Sequence, residues 1–164
     1  IDDDANYLGL AAGIQLAVGS GELKLASSDP NDPPYLDYNY LQEEFDRDRL
    51  RKGIRKVVEL ETHPAIQDLI EERITPTDEE LASDDALDAW LLKYTGTSHH
   101  ISCTCKMGPA SDPMAVVDQR GNIHGLQNIR VADASIMPDC IRANTNATTI
   151  MIAEKVADYV IDEQ

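Results

Sequence analysis

The spacing of apolar positions changes along the chain, and each change predicts an element. Tyr7 to Val18 is an apolar run broken by glycines, the pattern of a buried strand weakened at those points. Gly19-Ser-Gly21 is a turn signal, and Glu22 to Ser27 alternates polar and apolar residues as a half-buried strand does. Together they predict an antiparallel hairpin. Ser28 to Pro34 holds three prolines, which remove donors and keep the chain extended, so no regular structure is expected there. Tyr35 to Tyr40 is a short aromatic extended segment. From about Asp46 to Glu61 the period becomes helical, with Leu50, Ile54, Val57, Val58 and Glu61 on one face. Arg47, Arg51, Lys52, Arg55 and Lys56 fall largely elsewhere and predict a solvated basic face. His63-Pro64 closes the helix, with His63 as a terminal residue of no chemical role.

Ala65 to Ile74 predicts another short helical stretch. Thr75 to Glu80 is a helix-start signature, in which Thr77 as N-cap and Glu80 three residues on form a capping box. Ser83 is a second cap, leading into a helix marked by Ala86, Leu87, Trp90, Leu91 and Tyr94, with Trp90 expected in the core. After Gly96 small residues, Cys, Thr and Ser take over. Ala115 to Asp118 and Ile129 to Ala132 are short strand candidates, with Gln119 to Asn122 as the turn between them. Thr148 to Ile161 carries apolar residues at 150, 153, 156, 157, 160 and 161, a helical stripe.

Composition narrows the function classes. The 164 residues have a formal charge of -16 and a pI near 4.4, and no basic stripe, which argues against nucleic acid as a partner. No apolar run reaches the roughly 18 residues of a membrane helix. Residues 1–5 are acidic and expected to fray. The chain opens on Ile1 rather than Met and shows no signal-peptide pattern, so it is expected to be a piece of something longer. The three cysteines, Cys103, Cys105 and Cys140, favour no disulfide framework and point to a reducing compartment, and the acidic, signal-free chain is compatible with the cytoplasm.

Candidate chemistry concentrates between Gly96 and Gln164. His99 and His100 sit beside Cys103 and Cys105, but the one-residue gap between these cysteines fits structural zinc poorly. No strand-turn-helix nucleophile signature surrounds either one, so small buried packing residues are expected. His100 is open to two readings, a satisfied core histidine or a base, since imidazole titrates near neutral pH. Asp133 follows a predicted strand, as a turn carboxylate or an acceptor for ligand hydroxyls. Asn144-Thr-Asn-Ala-Thr148 opens a helix. It supplies an N-cap, and it also offers donors and a positive dipole end to an electron-rich ligand atom.

Four blocks carry a resemblance. They are Gly21-Glu-Leu-Lys-Leu-Ala-Ser-Ser-Asp-Pro30 with Pro33, His100 to Gly108 with Asp112 to Asp118, His124 to Pro138, and Asn144 to Asp158. In this order they resemble the C-terminal part of the glucose–methanol–choline (GMC) family of FAD-dependent oxidoreductases. The resemblance implies an α+β fold. Residues 1–95 would form part of an antiparallel-sheet substrate domain with helices on one side. Residues 96–164 would be the C-terminal segment that completes a Rossmann-like FAD-binding domain.

The resemblance also implies a chemistry. His100 would take the proton of an alcohol substrate while hydride passes to flavin N5, giving an aldehyde or ketone. Asn144 would hydrogen-bond the substrate oxygen, and His99 would line the same pocket beside the cofactor. Asp133 and Ala134 would meet the ribityl–pyrophosphate region of FAD, and Thr145, Asn146, Ala147 and Thr148 would lie against the flavin ring. The family's N-terminal Gly-x-Gly-x-x-Gly half is absent from this sequence, so that half is the expected partner and no metal is implied. Two alternatives stay open: a flavin-containing lyase of the hydroxynitrile type, and a non-catalytic separated fragment.

Overall fold

The computed structural model describes residues 7–163. The acidic start at 1–5, expected to fray, lies outside the described residues. The described residues divide into two compact units, one built from residues 7–21 and 38–96 and the other from 22–37 and 97–163. Each has its own core.

In the first unit, helix α1 (Glu44–Leu60) packs against helix α3 (Asp84–Tyr94). Leu50 and Ile54 stand one turn apart on α1, and Leu87 and Leu91 do the same on α3. These four and Leu41 form the core, with Ala12, Ile14, Leu81 and Trp90 around them. Glu44 and Asp46 in the first turn of α1 suit the positive end of its dipole. The short helix α2 (Asp78–Leu81) starts on the predicted capping box. Thr77 accepts the Glu80 amide, and the Glu80 side chain accepts the Thr77 amide. Ser83 caps α3 by accepting the Ala86 amide. Between His63 and Thr75 the predicted helical stretch shrinks to a single 3-10 turn, Gln67–Leu69. His63 acts at the helix end as expected, its Nδ1 accepting the Ala65 amide.

Two expectations fail in this unit. Residues 7–18 form neither a strand nor half of a hairpin, and Tyr7, Leu8 and Leu10 are exposed. Side chains of α1 take the place of a sheet partner. The buried Asp46 carboxylate accepts the Val18 and Gly19 amides at 3.0 and 2.9 Å, and Arg49 donates to the Leu16 and Gln15 carbonyls. The segment is thus a strap held by α1. The basic face of α1 is also not uniformly solvated. Lys52 and Lys56 are exposed, whereas Arg51 is 6% exposed and paired with Asp88 and Glu44.

In the second unit, strands β1 (Glu22–Lys24) and β2 (Tyr35–Asp37) form an antiparallel pair in the register Glu22↔Asp37, Leu23↔Leu36, Lys24↔Tyr35. The partner of Glu22–Lys24 is therefore the aromatic segment beyond the prolines. The proline-rich stretch, unfit for a strand, serves as the connecting loop. Asp29 accepts from the Asn31 backbone and side chain, and Ser27 donates to Asp32 at 2.5 Å.

Helix α4 (Asn146–Asp162) begins two residues earlier than its apolar stripe predicts. It presses Val156 onto Val117 and Ile136, with Met107, Val116, Ile123, Val131 and Ile152 packed around them. Ile150, Val160 and Ile161, counted in the same stripe, are exposed. The strand candidates at 115–118 and 129–132 prove to be single rungs rather than a hairpin: Val117 pairs with Ile123, and Asn122 with Arg130. The predicted turn at 119–122 is present, built on Asp118. Its carboxylate accepts the Arg120 and Asn122 amides and the Asn122 side chain. Burial pushes the Asp118 carboxyl up, but these hydrogen bonds outweigh it and hold it below the ordinary range.

Candidate functional site

The second unit places the His100 segment by backbone hydrogen bonds. The amides of Cys103, Cys105 and Met107 donate to the carbonyls of Ala134, Ser135 and Ile136 at 3.3, 2.9 and 3.0 Å. One stretch thereby lies along the other. His99 (φ 63) and Cys103 (φ 72) occupy the left-handed region on either side, so the chain turns sharply before and after His100. Residues 134–136 form one 3-10 turn, with Asp133 extended at its start. Asp133 accepts from the Ser135 amide at 2.8 Å and from the Ser135 hydroxyl at 2.5 Å. That is the turn-carboxylate reading of Asp133, and the side chain remains exposed.

His100 is half-buried, and its Nδ1 lies 3.2 Å from Thr145 Oγ1 at the start of α4. Its other ring nitrogen, Nε2, has no hydrogen-bond partner among the described residues. The helix start differs from the expected N-cap. Thr145 is the boundary residue, but its backbone is helical (φ -77, ψ -14) and its side chain makes no capping bond. An N-cap residue needs an extended backbone to swing its oxygen under the N2 or N3 amide. Thr145 lacks that conformation, and its hydroxyl meets His100 instead. Thr149 donates back to the Thr145 carbonyl through both its amide and its hydroxyl, at 2.9 and 2.8 Å. The first turn of α4 has no acidic residue, which leaves its dipole end positive.

The other predicted site residues differ in exposure. Asn144, Asn146 and Ala147 are exposed and Thr148 is half-buried. His99 is exposed, its amide bound to Thr97 Oγ1 at 3.0 Å. Ala134 enters through its carbonyl. The structure thus joins His100 to Thr145, and the 102–107 segment to residues 134–136. The contact to Thr145 was not legible in the sequence, where Thr145 is one more polar residue of a helix start. The only signal available was a hydroxyl next to Asn144 in the same block.

The neighbouring groups are structural. His124 Nε2 donates to the Gly108 carbonyl at 3.0 Å. Lys106 pairs with Asp112 at 2.8 Å and, with the Met114 amide, lowers that carboxyl. The Cys140 thiol is pushed up by burial, then by Asp139 and Cys103, which disfavours a thiolate. Among the described residues no three His, Cys, Asp or Glu side chains gather as metal ligands would.

Comparison with known proteins settles the family. The C-terminal model of the family described as GMC oxidoreductase matches residues 17–153. The chain belongs to the GMC oxidoreductases. Among its curated relatives is an oxygen-dependent choline dehydrogenase of Ectopseudomonas mendocina (strain ymp), 43% identical over 169 residues. That match covers 97% of this chain and 29% of the relative, so the chain spans about 29% of the curated protein's length. Two solved structures show the same fold. The formate oxidase of Aspergillus oryzae RIB40 superposes with a TM-score of 0.78 at 29% identity, covering 88% of this chain and 25% of that one. An FAD-dependent oxidoreductase from Chaetomium thermophilum gives a TM-score of 0.76 at 28% identity, covering 87% and 24%. This GMC chain combines helices with one small antiparallel sheet, and no helix among its described residues is long and apolar enough to cross a membrane.

Proposed function

We propose that this chain is the C-terminal part of an FAD-dependent oxidoreductase acting on alcohols, with His100 as the base. The observation that carries the reading is the seating of His100. One ring nitrogen is hydrogen-bonded at the head of α4, and the other has no partner among the described residues. A neutral imidazole so placed takes a hydroxyl proton on Nε2, breaking the alcohol O–H bond. The Asn144 amide, one residue before Thr145, orients the oxygen as negative charge develops on it. The named similarities to a choline dehydrogenase, a formate oxidase and an FAD-dependent oxidoreductase support the class.

The donor set suits a flavin. The first turn of α4 lacks both a side-chain cap and an acidic residue, so its amides and positive dipole end favour an electron-rich ring edge. Asn146, Ala147 and Thr148 would hold that edge. Ala134 and Asp133 would lie toward the ribityl–pyrophosphate part, and His99 beside the ring. Bound FAD would supply the acceptor for the hydride leaving the alcohol carbon. The N-terminal half found in longer relatives would supply the remaining contacts, with residues 96–164 completing a Rossmann-like domain and residues 1–95 contributing to a substrate domain.

The test is His100→Ala in the complete protein. Turnover of its alcohol should fall by about two to four orders of magnitude, the usual contribution of a general base. FAD content, read from the visible spectrum, should stay unchanged. Near-normal turnover removes His100 from the chemistry.

A further inference from the structure

We infer that Thr145 is a positioning residue, whose hydroxyl sets the tautomer of His100 so that the lone pair lies on Nε2. The inference rests on the reading of His100 as a base and adds to it the device that makes the ring ready. A neutral imidazole carries its proton on either nitrogen, and the partner of one nitrogen decides which of them is bare. Here that partner is Thr145 Oγ1, 3.2 Å from Nδ1. A hydroxyl can accept or donate; in the inferred arrangement it accepts the Nδ1–H, which leaves Nε2 as the acceptor. The same bond serves after proton transfer. Both nitrogens of an imidazolium are donors, so Nδ1–H still points at the hydroxyl and the bond gains charge assistance.

Three features make this contact a built one. Threonine is β-branched, so its χ1 is restricted and the hydroxyl has few directions available. A threonine at a helix start ordinarily spends that hydroxyl on a cap, and in the first turn on a carbonyl three or four residues back. Thr149 makes the second bond, to the Thr145 carbonyl, while Thr145 makes neither. The ring is fixed from the opposite direction as well. His100 lies between two left-handed residues, in a segment tied to residues 134–136 by three backbone hydrogen bonds. The imidazole and the hydroxyl come from separate stretches of the second unit, each held independently. Their contact therefore fixes the ring plane as well as its proton.

The test compares Thr145→Val, which keeps the shape and loses the hydroxyl, with Thr145→Ser, which keeps the hydroxyl. Both are made in the complete FAD-loaded protein, with His100→Ala identifying the His100 signals. The first readout is 15N NMR of labelled histidine above the imidazole pKa, which reports the tautomer without turnover. Wild type should show His100 protonated at Nδ1. Thr145→Val should lose that preference and let the Nε2–H form appear, and Thr145→Ser should recover it. The second readout is kinetic. For Thr145→Val, kcat should fall about tenfold or more with little change in KM, the scale on which loss of a histidine's orienting hydrogen bond costs metal-site enzymes. Thr145→Ser should restore most of the lost rate. A His100 signal protonated at Nε2 in wild type, or a tautomer unchanged in Thr145→Val, overturns the inference whatever the rates are. If Thr145→Val fails to fold, the wild-type spectrum alone still decides. Full activity in His100→Ala would instead remove the base reading, leaving a tautomer contact without a catalytic use.

Discussion

Gly121 shows how much one residue can fix. It sits in the turn built on Asp118, at φ +79, a conformation that costs an L side chain strain. A Cβ there would lie 2.5 Å from the Val131 carbonyl oxygen, which accepts no such approach because it belongs to backbone. The Gly121 carbonyl is in turn bound by the Val131 amide at 2.9 Å, so the two segments cannot separate without losing a rung. Gly121→Ala should therefore destabilise the second unit by about 2 kcal/mol or more, strain and clash acting together. Hydrogen exchange of the α4 amides would report it, since α4 packs Val156 beside this glycine. Unchanged protection would show that the turn relaxes freely. The sequence marked this residue as part of a turn. It could not show the carbonyl that forbids a side chain, because Val131 is brought there by pairing at a distance.

At the scale of elements, what local chemistry dictates was legible and what distant partners dictate was not. The caps at Thr77 and Ser83 depend on residues three positions away, and both formed where the pattern placed them. The run from Tyr7 to Val18 has the composition of a strand, but a strand exists only with a partner, and Asp46 and Arg49 took its hydrogen bonds. Arg51 departs from the predicted solvated face for the same reason. Its helical position says nothing of Asp88 on α3, to which it donates at 2.8 and 2.9 Å. Hydrogen bonds donated to Glu44 and Asp88 outweigh burial and keep the guanidinium charged. Removing this side chain leaves Asp88, among the described residues, with Arg47 at 3.6 Å. Arg51→Ala should cost about 2 to 3 kcal/mol, below the full value for a sealed pair because Asp88 keeps some solvent contact. Trp90 is the sole tryptophan and packs on this same core, so its fluorescence in a urea titration reads this unit directly. An unshifted midpoint would mean the network contributes nothing net.

For the whole molecule, the order of the motifs along the chain identified the family, while the backbone rungs that assemble them carry no side-chain signature. The amides of Cys103, Cys105 and Met107 would bond the same carbonyls with other side chains attached, so periodicity never showed the pairing. Charge is a property both units share, with 30 acidic residues against 14 basic. Several carboxyls are held below their ordinary values by named partners: Glu44 by Arg51 and Arg47, Asp84 by Arg55, and Asp112 by Lys106 and the Met114 amide. A carboxyl whose folded pKa is depressed binds protons more readily in the unfolded chain. Its contribution is therefore complete above the unfolded value, 4.5 for Glu44 and 3.8 for the aspartates, and is lost as pH falls through the folded value. Stability should stay level from pH 7 to about 5 and decline below about pH 4.5. At about 0.15 M salt, where long-range repulsion is screened over roughly 8 Å, the short hydrogen-bonded pairs should dominate the decline. In Arg51→Ala the acid limb read by Trp90 should be shallower, because Glu44 has lost the partner that lowers it most. Equal slopes for the two proteins would place the acid sensitivity elsewhere on the surface.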